Sequence, residues 1–178
     1  MNRTKISAFI LPLLIFFVLI SGCGGNGMHP EKDTDAFVDL IEQKQFEEIT
    51  LTIYYISPFI LTSFPLSVDD LVSFTNVNQI IIDEENLEIS SDLLNKLSQA
   101  TLTPVEQETY LDARLYYAFE TSDDGKVFEV AMWGADGSIF VNGNEVENKK
   151  IFYDVLVPFL PEDTLKEIEN YTSGIWPA

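Results

Sequence analysis

Apolar residues in this chain follow three rhythms, and each predicts a different kind of element. The first is unbroken: from Ile6 to Ile20 no residue carries a charge, directly behind Arg3 and Lys5. As a helix such a run would span about 22 Å, short of the roughly 30 Å of bilayer hydrocarbon, and Pro12 interrupts it. A cationic start, an apolar middle and small residues after it read as an export signal rather than a permanent span.

The second rhythm repeats every three to four residues. Phe37, Leu40 and Ile41, behind Asp33 or Thr34 as a cap, predict a short amphipathic helix over 34–43. Ser91 followed by Leu93, Leu94 and Leu97 predicts a second. Residues 151–156 fit a buried helix curtailed by Pro158, and Pro161-Glu162-Asp163 opens a last helix to about Tyr171.

The third rhythm alternates. Residues 49–56 are β-branched or aromatic and predict a strand with Ile49, Leu51, Ile53 and Tyr55 inward, and 79–83 predict a shorter one. Between them, Pro58, Pro65, Asp69 and Asp70 mark a long loop with one helical turn near 68–74. From Arg114 to Val146 two alternating runs meet at Asp124-Gly125, the signal of a two-residue hairpin loop. That loop sets Thr121 against Phe128, Phe119 against Val130 and Tyr117 against Met132 on the core side. On the other side Glu120 meets Glu129, Ala118 meets Ala131 and Tyr116 meets Trp133, with a second turn at Asp136-Gly137 bringing Phe140 beside Trp133. The expected architecture is α+β: a mostly antiparallel sheet of four to five strands, including a three-strand meander, with helices packed on one face. Residues 34–178 are long enough for a single domain with its own core.

Charge narrows the partners. The chain holds 10 basic and 29 acidic residues, a net of −19, and without Arg3 and Lys5 the net becomes −21. Such a surface repels nucleic acid and anionic lipid, so nucleic acid is not an expected partner; a cationic or peptide partner suits it better. The acids are scattered, without the alternating oxygen ligands and closing Glu of a calcium loop.

The export signal ends in Ile20-Ser21-Gly22-Cys23. Hydrophobic, small, small, cysteine at this place resembles the lipobox of bacterial lipoproteins. The resemblance covers residues 1–23 only; it implies a signal peptide over 1–22, cut before Cys23, and diacylglycerol on the Cys23 thiol. Cys23 is the sole cysteine, so no disulfide forms within the chain. Two or more acyl chains hold a protein where one holds it marginally. The expected localisation is the cell membrane, lipid-anchored and facing outside the cytoplasm; Gly24 lacks the aspartate retention signal, which by resemblance to diderm lipoproteins permits outer-membrane sorting if the cell is diderm. Residues 23–33, glycine-rich and polar, read as the lipidated cysteine and a flexible spacer.

One constellation stands out in the folded part. Tyr116, Trp133 and Phe140 beside Ala118, Ala131, Glu120 and Glu129 predict a shallow trough with an aromatic and an acidic end, suited to ammonium groups, peptides or sugars. The simpler alternative is a helix packed on the alanines, with the aromatics buried and the glutamates in water. Paired carboxylates also raise glycan hydrolysis. His29, the sole histidine, falls in the spacer, so no Ser-His-Asp or Cys-His set assembles; no catalytic residue, metal ligand or cofactor is expected. The chain thus reads as a membrane-anchored lipoprotein that binds a partner protein, peptide or envelope component. A carboxylate hydrolase of envelope glycan and a passive spacer are the alternatives. Oligomeric state is not legible.

Overall fold

The computed structural model describes residues 34–133 and 137–173. The signal peptide, Cys23, the spacer with His29 and Asp136 of the second turn lie outside the described residues. Among the described residues six strands join one antiparallel sheet in the order β2-β1-β3-β4-β5-β6: β1 is Thr50–Tyr55, β2 Asn78–Ile82, β3 Leu115–Thr121, β4 Gly125–Met132, β5 Ile139–Val141 and β6 Asn144–Val146. The helices are α1 Asp35–Gln43, α2 Val68–Val72, α3 Glu84–Ile89, α4 Ser91–Ser98, α5 Ile151–Asp154 and α6 Glu162–Thr172. This is an α+β fold, as the rhythms predict, with one strand more than expected.

The extra strand comes from Asn142-Gly143. Both residues have positive φ, 48° and 79°, and Val141 pairs with Asn144, so a two-residue turn folds β6 back on β5. The meander therefore runs through four strands. At Asp124-Gly125 the turn is different: Thr121 pairs with Gly125, Thr121 Oγ1 accepts Asp124 N at 3.0 Å, and only Gly125 is left-handed, at φ 71°. A register irregularity beside Glu120 then sets Phe119 opposite Phe128 and Ala118 opposite Glu129. Most of the expected pairs are thus slipped by two residues, and a slip of two leaves the paired side chains from Leu115 to Phe119 and from Phe128 to Met132 on their expected faces, while Trp133, beyond the ladder, turns to the other.

Two apolar layers result. On one face Leu51, Ile53, Tyr117, Phe119, Val130 and Met132 form the main core with residues of α1, α3, α4, α5 and α6. Phe37 of α1 lies 4.7 Å from Phe119 and 4.6 Å from Phe128, ring centroid to ring centroid, and ties the first helix to the hairpin. Helices do not keep to one face, however. The other carries a smaller cluster of Tyr116, Ala118, Ala131, Phe140 and Ala113, covered by Leu71 of α2 and by Ile56 and Leu66 of the loop around it. Both faces of a sheet with apolar residues on each side must be covered, and 57–77 covers the second.

The two sheet edges are treated differently. Along β6, Pro104 bridges Val146, Val105 N donates to Glu145 O at 3.3 Å and Glu147 N donates to Thr103 O at 2.8 Å. At the other edge lies the uncharged β2, with Ile81 exposed.

Candidate functional site

The predicted trough survives in part, as a cleft on the second face. Tyr116, Glu129, Ala131 and Phe140 line it together with Val68, Leu111 and Gly143, around a volume of about 160 Å³. They come from several stretches, only Glu129 and Ala131 sharing a strand. Tyr116 pairs with Ala131 across β3 and β4, and Ala131 with Phe140 across β4 and β5, so three neighbouring strands supply the floor. Val68 opens α2, capped by Ser67, whose Oγ accepts Asp70 N at 3.1 Å while Asp70 accepts Ser67 N. Gly143, at φ 79°, sits in the β5–β6 turn with open space where a Cβ would stand, so its conformation and not crowding calls for glycine.

A short polar network closes the rim. Tyr116 donates its hydroxyl to Glu129 Oε2 at 2.7 Å, and Lys126 Nζ reaches the same oxygen at 2.9 Å and the Tyr116 hydroxyl at 3.2 Å. The ammonium also stands 5.6 Å from the Tyr116 ring centroid. Burial, then the bond to Glu129 and the charges of Glu129 and Glu120, push the Tyr116 hydroxyl well above its ordinary range, so it stays a donor. Glu129 is held from behind as well: its N–H donates to Asn142 Oδ1 at 2.9 Å, and its carbonyl accepts Asn142 N at 2.9 Å.

The other predicted members lie elsewhere. Glu120 stands opposite Lys126, not Glu129, so the two glutamates are not directly opposed; the slipped register separates them. Ala118 is buried in the second cluster and does not line the cleft. Trp133, 1% exposed, belongs to the main core on the opposite side, with ring centroids 5.8 Å from Tyr153 and 6.3 Å from Tyr171. β4 ends at Met132, and beyond the ladder alternation no longer governs where a side chain points. No protein-family model, curated protein or solved structure matches this chain.

Sequence reasoning missed Val68, Leu111, Lys126 and Gly143. Lys126 had a signal, as the sole base between Arg114 and Lys149. Val68 and Leu111 had none, because they reach the cleft from the first residue of the short α2 and from the loop before β3, whose placement on the sheet no period describes. Chemically the cleft is apolar within and dipolar at the rim. A dry cavity near 150 Å³ holds a ring the size of benzene, so this volume fits one aliphatic or aromatic side chain. Among the described residues no group of three or more acids, histidines or cysteines is placed to hold a metal ion, and no helix is long and apolar enough to cross a membrane.

A larger hollow, about 570 Å³, lies by α5 and α6, bordered by Lys150, Tyr153, Asp154 and Glu169. Burial and the charges of Glu169 and Asp154 push the Tyr153 hydroxyl up to about 12. Lys150 pairs with Asp154 there.

Proposed function

We propose that this chain is a bacterial lipoprotein whose acidic domain, held outside the cytoplasm by acyl chains on Cys23, binds a peptide or protein by taking one apolar side chain into the cleft at Tyr116. The observation that carries the binding half is the combination of apolar walls at Val68, Leu111, Ala131 and Phe140 with a Tyr116–Glu129–Lys126 rim. Walls of this kind take a side chain, and a rim bearing both charges offers donors and acceptors to the peptide groups beside it. Hydrolysis is less well served, because Glu129 is already bonded to Lys126 and Tyr116, and Glu120 lies across from Lys126. The anchor half rests on the Ile20-Ser21-Gly22-Cys23 motif and on the absence of any other cysteine.

Two separable measurements test this. Intact-mass analysis of the chain made in a bacterial envelope is expected to show residue 23 as the N-terminus carrying diacylglycerol; a free thiol or a retained Met1 sinks the anchor. For the cleft, a panel of short peptides with Leu, Phe or Gly at the central position is titrated against the full chain by NMR. Leu or Phe peptides are expected to shift Tyr116, Ala131 and Phe140 signals, and Ala131→Leu, which fills the cleft, to abolish the shift. Equal response to the Gly peptides refutes side-chain capture.

A further inference from the structure

Residues 57–66 leave the end of β1 without a single charge, and three of them hold apolar side chains in water: Leu61 is 96% exposed, Phe64 79% and Phe59 56%. Tyr110, 89% exposed, belongs to the segment alongside, where Ala113 N donates to Leu66 O at 2.8 Å. Isolated exposed apolar residues are ordinary, but a cluster on one short loop marks a contact surface.

This loop is clamped from below. Arg114 is buried, and its guanidinium pairs with Asp112 at 2.6 and 3.0 Å while Nη2 also donates to Thr62 Oγ1 at 3.0 Å. Thr62 donates in turn to Phe64 O at 2.8 Å, and Asp112 accepts Leu66 N at 2.9 Å. One ion pair, buried at Arg114 and partly exposed at Asp112, thus bonds the middle and the end of the loop, with Leu61 and Phe64 on either side of Thr62. Taking a guanidinium and a carboxylate out of water is unfavourable unless their bonds are all made. Using them to hold Leu and Phe in solvent makes physical sense where a partner covers those side chains, because a preorganised loop loses little entropy on docking.

Topology and charge say which partner. The described chain begins at Thr34, and α1 starts beside the β3–β4 turn, where Ala36 and Asp39 share a hollow with Ser122, Asp123 and Asp124. β1 runs from that end, Thr50 opposite Glu120, to the loop's end, Tyr55 opposite Leu115. Its length at about 3.3 Å per residue sets the two ends about 20 Å apart. The apolar loop therefore lies at the opposite end of β1 from α1, where the described residues begin. Exposed Asp69, Asp70, Glu106 and Glu108 lie on the segments next to it, in a chain of net charge −19.

We infer that the 57–66 loop docks on a protein partner that offers an apolar groove rimmed by lysine or arginine. Acids around the loop steer such a partner in, and Leu61 and Phe64 supply the buried anchors, with Phe59, whose ring already meets Tyr171 edge-on at 5.7 Å, at their flank. This deepens the peptide-binding proposal, since Val68 and Leu111 of the cleft continue the same two segments, but it needs neither the cleft nor a lipid on Cys23.

The experiment places a photoreactive phenylalanine analogue at Leu61 of the full chain, and at Ile89 as an exposed control, and irradiates intact producing cells. The expected result is one discrete protein adduct from position 61, absent from position 89, whose crosslinked peptide is apolar with Lys or Arg within a few residues. Phe64→Ser is expected to reduce that adduct about tenfold, the effect of losing one interfacial anchor. An adduct with phospholipid, with a second copy of this chain, with a peptide lacking bases, or no discrete adduct overturns the inference. Thermal unfolding of Phe64→Ser confirms that it folds; if it does not, Phe59→Ser replaces it in the same experiment. The Ala131→Leu chain separates the two proposals: an adduct retained there keeps the loop's role while the peptide titration decides the cleft.

Discussion

Trp133→Ala is the sharpest test of where the aromatic residues of this fold belong. The indole is 1% exposed and packs against Tyr153 and Tyr171 at 5.8 and 6.3 Å. Truncating a buried Trp costs about 3–5 kcal/mol, including aromatic contacts of about 0.5–1.5 kcal/mol each. Its Nε1 is buried without a hydrogen-bond partner among the described residues, so the variant also removes an unmet desolvation penalty of about 1–3 kcal/mol. The net expectation is the lower end, about 3 kcal/mol. Against a total stability of about 5–15 kcal/mol, the variant folds but melts about 6–12 °C lower. Urea unfolding of the full-length chain, followed by far-ultraviolet circular dichroism, measures it; the midpoint should fall while the slope stays. A loss below about 1 kcal/mol, together with lost peptide binding, would put Trp133 back on a ligand surface and refute the core assignment.

Other outcomes follow from the same geometry. Arg114→Ala leaves Asp112 and Thr62 without their partner; with Asp112 partly exposed the expected loss is about 2–3 kcal/mol, and amide exchange over 60–66 should quicken before the sheet opens. Unchanged exchange there would show that the ion pair does not hold the loop. Tyr116→Phe removes a bond to Glu129 and is expected to weaken Leu-peptide binding several-fold with a stability change of about 1 kcal/mol; equal affinity refutes the rim's role. At alkaline pH, Tyr116, Tyr117 and Tyr153 all have raised hydroxyls, Tyr153 to about 12. A raised folded value means the unfolded chain loses the proton first, so their contribution is complete below about pH 10 and falls as pH rises toward 12 and beyond. Spectrophotometric titration should show these three ionising late and together with unfolding; a smooth titration of all seven tyrosines in a folded domain would contradict it.

Much of the fold was legible because local rhythm decides it. The three-to-four spacing of Phe37 and Ile41 marks α1, and alternation from Ile49 marks β1 with its inward residues correctly chosen. The opposite faces of Tyr116 and Tyr117 also follow from alternation alone, and they survived a slipped hairpin because the slip was even. The register itself was decided by the turn, where Thr121 captured Asp124 N and tightened the loop that Asp124-Gly125 suggested.

By itself, then, the sequence determined the acidic balance, the α+β class and which residues of each strand share a face, since these depend on composition or on neighbours a few positions apart. Only the tertiary structure decided that Trp133 is core, that Glu120 faces Lys126, that Val68 and Leu111 complete the cleft, and that Arg114 bonds Thr62 between the exposed Leu61 and Phe64. Those facts join segments 52 positions apart from Thr62 to Arg114, and further apart still from Val68 to Phe140 and Gly143. Which distant segments meet is set by filling both faces of the sheet and satisfying buried polar groups together, a condition on the whole chain that no local period encodes.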